Sequence, residues 1–308
     1  MKRTSLFVIL LLFGLPVFAQ IDPGQISGIT VLSDPSELYI FFWDKAIRDT
    51  VDTARVEVVY NFRCRQGEQC QDYVMMLEVG ARHTKYYSPR LQLTDDIAMK
   101  VAAGLIRGSS SPGRDNREQY TAEELAIDSM AGKKEFNSEI WVDLANGVLT
   151  ERCHDYQHRN LSLEYSEHRP QWEWQLLPES DSIAGYACMT AKAVFRGREW
   201  KVWFAPELPF NAGPWKFLDL PGLLLRAEDS QGDYVWEFHQ LSQPTRPLVF
   251  YRVKSRVLRR NEWRKYMQRL HDSPLAVLGD NGRHLFYTKG ARQLTNDWTI
   301  PYNPLELE

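Results

Sequence analysis

The sequence is short of long apolar runs, of cysteine and of net charge, and each shortage excludes something. After the first twenty residues no stretch approaches the ~20 consecutive apolar residues that a spanning helix requires, so the mature chain is expected not to cross a membrane by a helix. The net charge over 308 residues is -3. Without Lys2 and Arg3 it is about -5. Neither value points to nucleic acid or to a strongly charged partner. There is no HExxH, no GxSxG, no Walker A and no Rossmann glycine fingerprint, so no reaction class is named by a motif and no cofactor is implied.

The one long apolar run lies at the start. Lys2 and Arg3 precede Leu6 to Phe18, and Val17 with Ala19 supplies the small-residue pattern of a signal peptidase site. Residues 1–19 therefore read as a secretory signal peptide. No cysteine follows the cleavage site, which argues against a lipoprotein anchor. The mature chain is expected to be exported, periplasmic or in the outer envelope, and to form one β-rich domain over 20–308. Apolar residues make up 44%, enough for a sizeable core.

The mature region holds Cys64, Cys70, Cys153 and Cys188. An even count in an exported chain favours disulfides. Cys64 and Cys70 flank a polar run around Gly67 and would pair locally, leaving Cys153 with Cys188. A metal-handling alternative would use Cys153, His154 and His158. The spacing is poor for zinc, and adjacent residues of a strand point to opposite faces. No metal site is expected.

Hydrophobic alternation indicates strands over most of the chain. Leu38 to Trp43, Ala54 to Phe62 and Tyr73 to Val79 come first. Phe136 to Val142, Val148 to His154, Asn160 to Glu167 and Tyr234 to Leu241 follow. Ala145-Asn146-Gly147 marks a hairpin turn. Trp172 and Trp174 should share one strand face. Residues 91–135 differ: two helix-like runs flank a Gly/Ser loop and read as a helical insertion. Such a segment is either a plain surface excursion or a lid over a cavity. Near the end, Val249 to Leu258 reads as a strand with Arg252, Lys254 and Arg256 on one face. That stripe is a solvated face, or a contact for lipid head groups at a membrane periphery. Trp263, Tyr266, Met267 and Leu270 have helical spacing and should dock a C-terminal helix, Glu262 to Leu270, on the sheet, with Arg264 in water. The expected fold is mainly β. It is an antiparallel, strongly curved sheet or open barrel of roughly ten to thirteen strands.

Histidines are scattered, and nothing in their spacing selects a triad or an acid pair, so an envelope hydrolase with a non-sequential catalytic set is the weaker functional alternative. The densest block is Asp181 to Asp229. It contains strand-like runs at Ala187–Arg196, Glu199–Ala205 and Leu220–Ala227, a tight turn at Arg196-Gly197-Arg198, and breaks at Gly213-Pro214 and Pro221-Gly222. Its aromatics are read first as core and second as the lining of a ligand groove.

Five segments of this block carry a family resemblance. They are Gly185-Tyr186-x-Cys188, Ala191 to Arg198, Trp203 to Pro209, Gly213-Pro214-Trp215-Lys216-Phe217, and Asp219-Leu220-Pro221-Gly222-Leu223-Leu224. The block resembles the GLPGLI family of exported Bacteroidetes envelope proteins, and Tyr86-Tyr87-Ser88 extends the likeness loosely. Asp219 stands where the family has its first Gly, which implies that this position needs no positive φ; Leu224 replaces the final Ile. The resemblance implies a non-enzymatic binding or accessory protein linked to an outer-membrane TonB-dependent receptor. A small apolar ligand is the other expected partner, suggested by the aromatics of the block. The sheet would form a cradle, with Trp203, Pro206, Phe210, Trp215, Phe217, Pro221 and Gly222 at its rim.

Overall fold

The computed structural model describes residues 47–90, 92–93, 136–155, 161–278 and 299–308. The expected signal peptide at 1–19, the expected strand at 38–43 and, apart from 92–93, the expected insertion at 91–135 lie outside the described residues. So does His158.

Chain order gives β1 (Ile47–Ala54), β2 (Val56–Gln66), β3 (Gln69–Val79), β4 (His83–Tyr87), β5 (Glu139–Asp143), β6 (Val148–His154) and β7 (Ser162–His168). Then come β8 (Gln175–Ile183), β9 (Tyr186–Phe195), β10 (Arg198–Ala205), β11 (Leu223–Asp229), β12 (Tyr234–Ser242), β13 (Arg246–Arg252) and β14 (Ser255–Val257), followed by α1 (Arg260–Asp272) and α2 (Pro274–Leu278). The protein is mainly β. Twelve strands form one curved, open sheet in the order β14-β7-β6-β5-β4-β3-β2-β12-β11-β10-β9-β8. All neighbours are antiparallel except β14 with β7. The sheet does not close, so β14 and β8 are its edges. Edge strand β8 carries Pro178 at a register shift, where no ladder hydrogen bond is lost.

The two faces follow from period-two alternation. Val56, Val58, Tyr60, Phe62 and Cys64 of β2 face the main core, as do Trp200, Val202 and Phe204 of β10 and Tyr234 and Trp236 of β12. Pairing of β2 with β12 sets Phe62 opposite Trp236, whose rings stack at 4.5 Å. The opposite face is covered by a separate ribbon of β1 and β13. Trp141 meets Phe250 edge to face there, and Arg246 pairs with Glu57 and Glu78 at 2.6 and 2.8 Å. Two hairpin tips, Ala184-Gly185 and Arg196-Gly197, have positive φ at both residues. That geometry matches the twist of the flanking strands.

Three expectations are corrected. The run 249–258 is not one strand: β13 belongs to the ribbon, whereas β14 lies beside β7 in the main sheet. Arg252, Lys254 and Arg256 therefore share no strand face. Arg252 pairs with Asp49 at 2.5 Å and Arg256 with Asp155 at 3.3 Å. Second, no disulfide joins Cys64, Cys70, Cys153 or Cys188. Cys64 faces the core while Cys70 is exposed, and β5, β4, β3, β2, β12, β11 and β10 separate the strand of Cys153 from that of Cys188. Third, Trp172 and Trp174 lie in an extended segment outside the ladders. Their rings do share a face, stacked at 4.6 Å. Helix α1 docks as its spacing requires: Trp263 and Leu270 are buried, and Trp263, Tyr266 and Met267 pack on Cys153, Leu163 and Tyr165. Among the described residues no helix is long and apolar enough to cross a membrane.

Candidate functional site

The site is built around the connection from β10 to β11, residues 206–222. This loop does not stay at a rim. It folds onto the inner face and buries Trp215, Phe217, Leu218 and Leu220 in the main core. Backbone hydrogen bonds hold it there. The indole N–H of Trp172 donates to Lys216 O and that of Trp174 to Leu218 O, both at 2.8 Å. Tyr60 Oη–H donates to Leu224 O at 2.6 Å. Gly222 is required by close approach, because a Cβ there would lie 2.3 Å from Ala205 O. Trp215 and Asp219 have φ of 52° and 66°. Asp219 thus adopts the left-handed conformation that the expectation from sequence denied it. Asp tolerates this region better than most residues. Its carboxylate accepts from Arg169 at 2.8 Å and its N–H donates to Asn211 Oδ1 at 2.7 Å.

The loop delivers Lys216 into a buried charge cluster. Its side chain is 1% exposed. The Nζ ammonium donates to Glu306 Oε1 at 2.6 Å and Tyr165 Oη at 2.5 Å, and lies 3.0 Å from Glu151 Oε2 and 3.5 Å from Glu167 Oε1. Tyr165 Oη–H donates to Glu151 Oε2 at 2.6 Å. Two guanidinium groups close the cluster. Arg196 reaches Glu167 at 2.5 Å and Glu306 at 2.7 Å, and Arg260 reaches Glu306 at 2.5 Å. Lys216, Arg196 and Arg260 thus balance Glu151, Glu167 and Glu306. Strand β6 supplies Glu151, and alternate residues of β7 supply Tyr165 and Glu167. Arg196 sits on the β9–β10 hairpin tip, Arg260 in the first turn of α1, and Glu306 in the segment 299–308.

The electrostatics hold Lys216 and Glu306 in their charged forms. Burial opposes the charge on Lys216, but Glu151, Glu306 and Glu167 outweigh it and raise its pKa, so the ammonium stays charged. Burial likewise opposes ionisation of Glu306. Lys216 and the two arginines overcome it and hold that carboxyl at about 2. Burial, then Glu151, pushes Tyr165 well above the ordinary phenol. A charged ammonium cannot act as a base; here it holds carboxylates.

Beside the cluster lies a cavity of about 140 Å³. Its walls include Phe136, Tyr165, Trp215, Tyr234, Trp263 and Met267. Arg264, expected in water, lines it too. Of the residues expected at a rim, only Trp215 borders this cavity. Trp203 and Phe217 are core residues, and Phe217 sits 5.2 Å from Trp215 ring to ring. Phe210 is half-buried, Pro206 and Pro221 are exposed, and Gly222 packs on Ala205. Reasoning from sequence missed the whole charge cluster. Its one legible trace is a lysine set between Trp215 and Phe217. Among the described residues no group of three or more His, Cys, Asp or Glu side chains is placed to hold a metal.

No family model matches the chain, and no curated protein matches it. Solved structures do align. PNGF-II in two crystal forms aligns at 12% and 14% identity with TM-scores of 0.44 and 0.45, over 70% of this chain. The chain covers 33% and 32% of those chains, so it spans about a third of their length. The LolA superfamily protein NE2245 from Nitrosomonas europaea aligns at 11% identity and a TM-score of 0.24, over 67% of this chain and 91% of its own.

Proposed function

We propose that this protein is an exported binding or accessory protein of the cell envelope, of the GLPGLI type, which holds an anionic ligand in the cradle of its curved sheet. The observation that carries this reading is the convergence of Lys216, Arg196 and Arg260 on the carboxylate of Glu306, which borders an aromatic-lined cavity. These cations are already balanced by Glu151, Glu167 and Glu306, so a ligand's negative end would bind by taking the place of the Glu306 carboxylate. Phe136, Trp263 and Met267 offer the apolar body of that ligand a surface. The partner that the family resemblance implies, a TonB-dependent outer-membrane receptor, would receive the ligand or the loaded protein.

The experiment is native mass spectrometry of the mature protein purified from its own periplasm, with in-cell cross-linking to the receptor. The expected result is a 1:1 anionic adduct and a receptor cross-link. An apo mass with no receptor cross-link would sink the reading.

A further inference from the structure

The segment 299–308 lies in the cradle as a bound peptide would. It has no regular secondary structure, yet the backbone of Ile300, Pro301, Asn303, Pro304 and Leu307 is hydrogen-bonded to the cradle and to α1. Ile300 N–H donates to His271 O at 2.8 Å, and His271 Nδ1–H donates to Pro301 O at 3.0 Å. Asn303 N–H donates to Gln66 Oε1 at 2.6 Å, and Asn303 O accepts from Gln66 Nε2 at 3.3 Å and from Tyr234 Oη. Pro304 O accepts from Arg198 at 2.7 and 3.0 Å. Leu307 N–H donates to Arg196 O at 2.9 Å.

The side chains are read as well. Asn303 Nδ2 donates to Arg65 O at 3.1 Å and to Asp233 at 3.0 Å, while its Oδ1 accepts from Arg198. Leu305 packs on the main core, and Glu306 meets Lys216, Arg196 and Arg260. The floor is cut to fit a chain. A Cβ on Gly67, at the β2–β3 tip, would come 3.1 Å from Pro301. One on Gly197, at the β9–β10 tip, would come 2.9 Å from Leu307. Glycine at both crossing points lets the segment pass close over two hairpins.

We infer that the cradle mouth is a peptide-binding groove, occupied in cis by residues 300–308, and that its ligand in trans is an extended acidic segment of another protein with the pattern Asn-Pro-x-Glu. The inference rests on the binding reading above and names the ligand class. Main-chain hydrogen bonds give such a site affinity, and pockets for Asn, the apolar residue and Glu give it selectivity. The proline keeps the residue before it extended, as the groove requires. The cis segment competes at high effective concentration, so trans binding to the wild type is weak.

The test uses the full chain and a fluorescent peptide of the sequence Ile300–Glu308, read by anisotropy. Glu306→Lys weakens the cis occupant by placing a cation among cations, and Asn303→Ala is the milder second variant. Each folded variant should bind the peptide about tenfold or more tighter than wild type. A peptide with Gln in place of the glutamate at 306 should bind at least about tenfold more weakly. Equal binding by wild type and folded variants, or by the Glu and Gln peptides, would overturn the inference. If neither variant folds, photo-cross-linking of excess peptide to the wild type decides. Label at Gln66 or Arg198 supports the groove, and label only elsewhere overturns it. Failure here alongside a small anionic adduct in native mass spectrometry would leave the binding reading standing and remove only the peptide.

Discussion

Lys216 shows what a buried charge does for this fold. Its three carboxylate neighbours come from β6, β7 and the segment 299–308. Replacing it by Met keeps the volume and removes the cation, so Glu151, Glu167 and Glu306 are left facing only Arg196 and Arg260. Breaking a buried pair by removing one partner costs about 3–5 kcal/mol, because the remaining charge is uncompensated. Lys216→Met should therefore lose stability on that scale in urea denaturation. Adding Glu306→Gln to it restores the charge balance. The double variant should be more stable than the two single losses sum to, by about 1–3 kcal/mol of coupling. A loss under about 1 kcal/mol for Lys216→Met would mean that the cluster is hydrated and loosely held.

At the scale of elements, much of the fold was legible. Alternation on β2 marks its core face, and the spacing of Trp263, Met267 and Leu270 marks the docking face of α1, because these are local periodicities. The cluster was not legible, because its members span residues 151 to 306 and meet only once β6, β7 and α1 are assembled. The run 249–258 misled for a related reason: both halves alternate, and only their different partners, β1 and β7, break it into two strands. The 206–222 loop misled at one residue. Asp219, standing where the family that the block resembles has glycine, suggested ordinary φ, yet it holds 66° by combining Asp's tolerance with the Arg169 pair. That makes two substitutions informative. Asp219→Ala keeps the strained φ and loses the pair, and should cost about 1–2 kcal/mol. Asp219→Gly loses the pair but relaxes φ, and should stay within about 1 kcal/mol of wild type. Denaturation midpoints of the two variants check this. If Gly proved the worse, the side-chain contacts and not the backbone would dominate.

For the whole molecule, the segment 299–308 ties hairpin tips from both halves of the sheet to α1, and two of its contacts titrate. His271 is buried under the segment, its ring stacked on Tyr302 at 4.1 Å, and burial pushes its pKa down to about 4. A base with a depressed pKa stabilises the fold above its ordinary value near 6.5. As pH falls from 6.5 to 4 the unfolded chain takes a proton that the folded chain refuses, and stability drops. Glu306 contributes in the opposite chemical sense but the same direction. Its carboxyl is held at about 2, so its contribution is complete above about 4.5 and is lost as pH falls toward 2. Stability should then be flat above about pH 7. It should decline by up to about 1.4 kcal/mol per pH unit from 6.5, for a total of about 3 kcal/mol at pH 4, and keep falling below 4.5, where the unfolded chain protonates Glu306 and the folded chain does not. His271→Gln should flatten only the upper window, because it removes the refused proton and leaves Glu306 in place. Urea titrations at pH 7.5, 6.5, 5.5, 4.5 and 3.5 read both windows. Parallel profiles for wild type and His271→Gln would show that His271 reaches solvent when protonated, and that the segment is not held over it in solution.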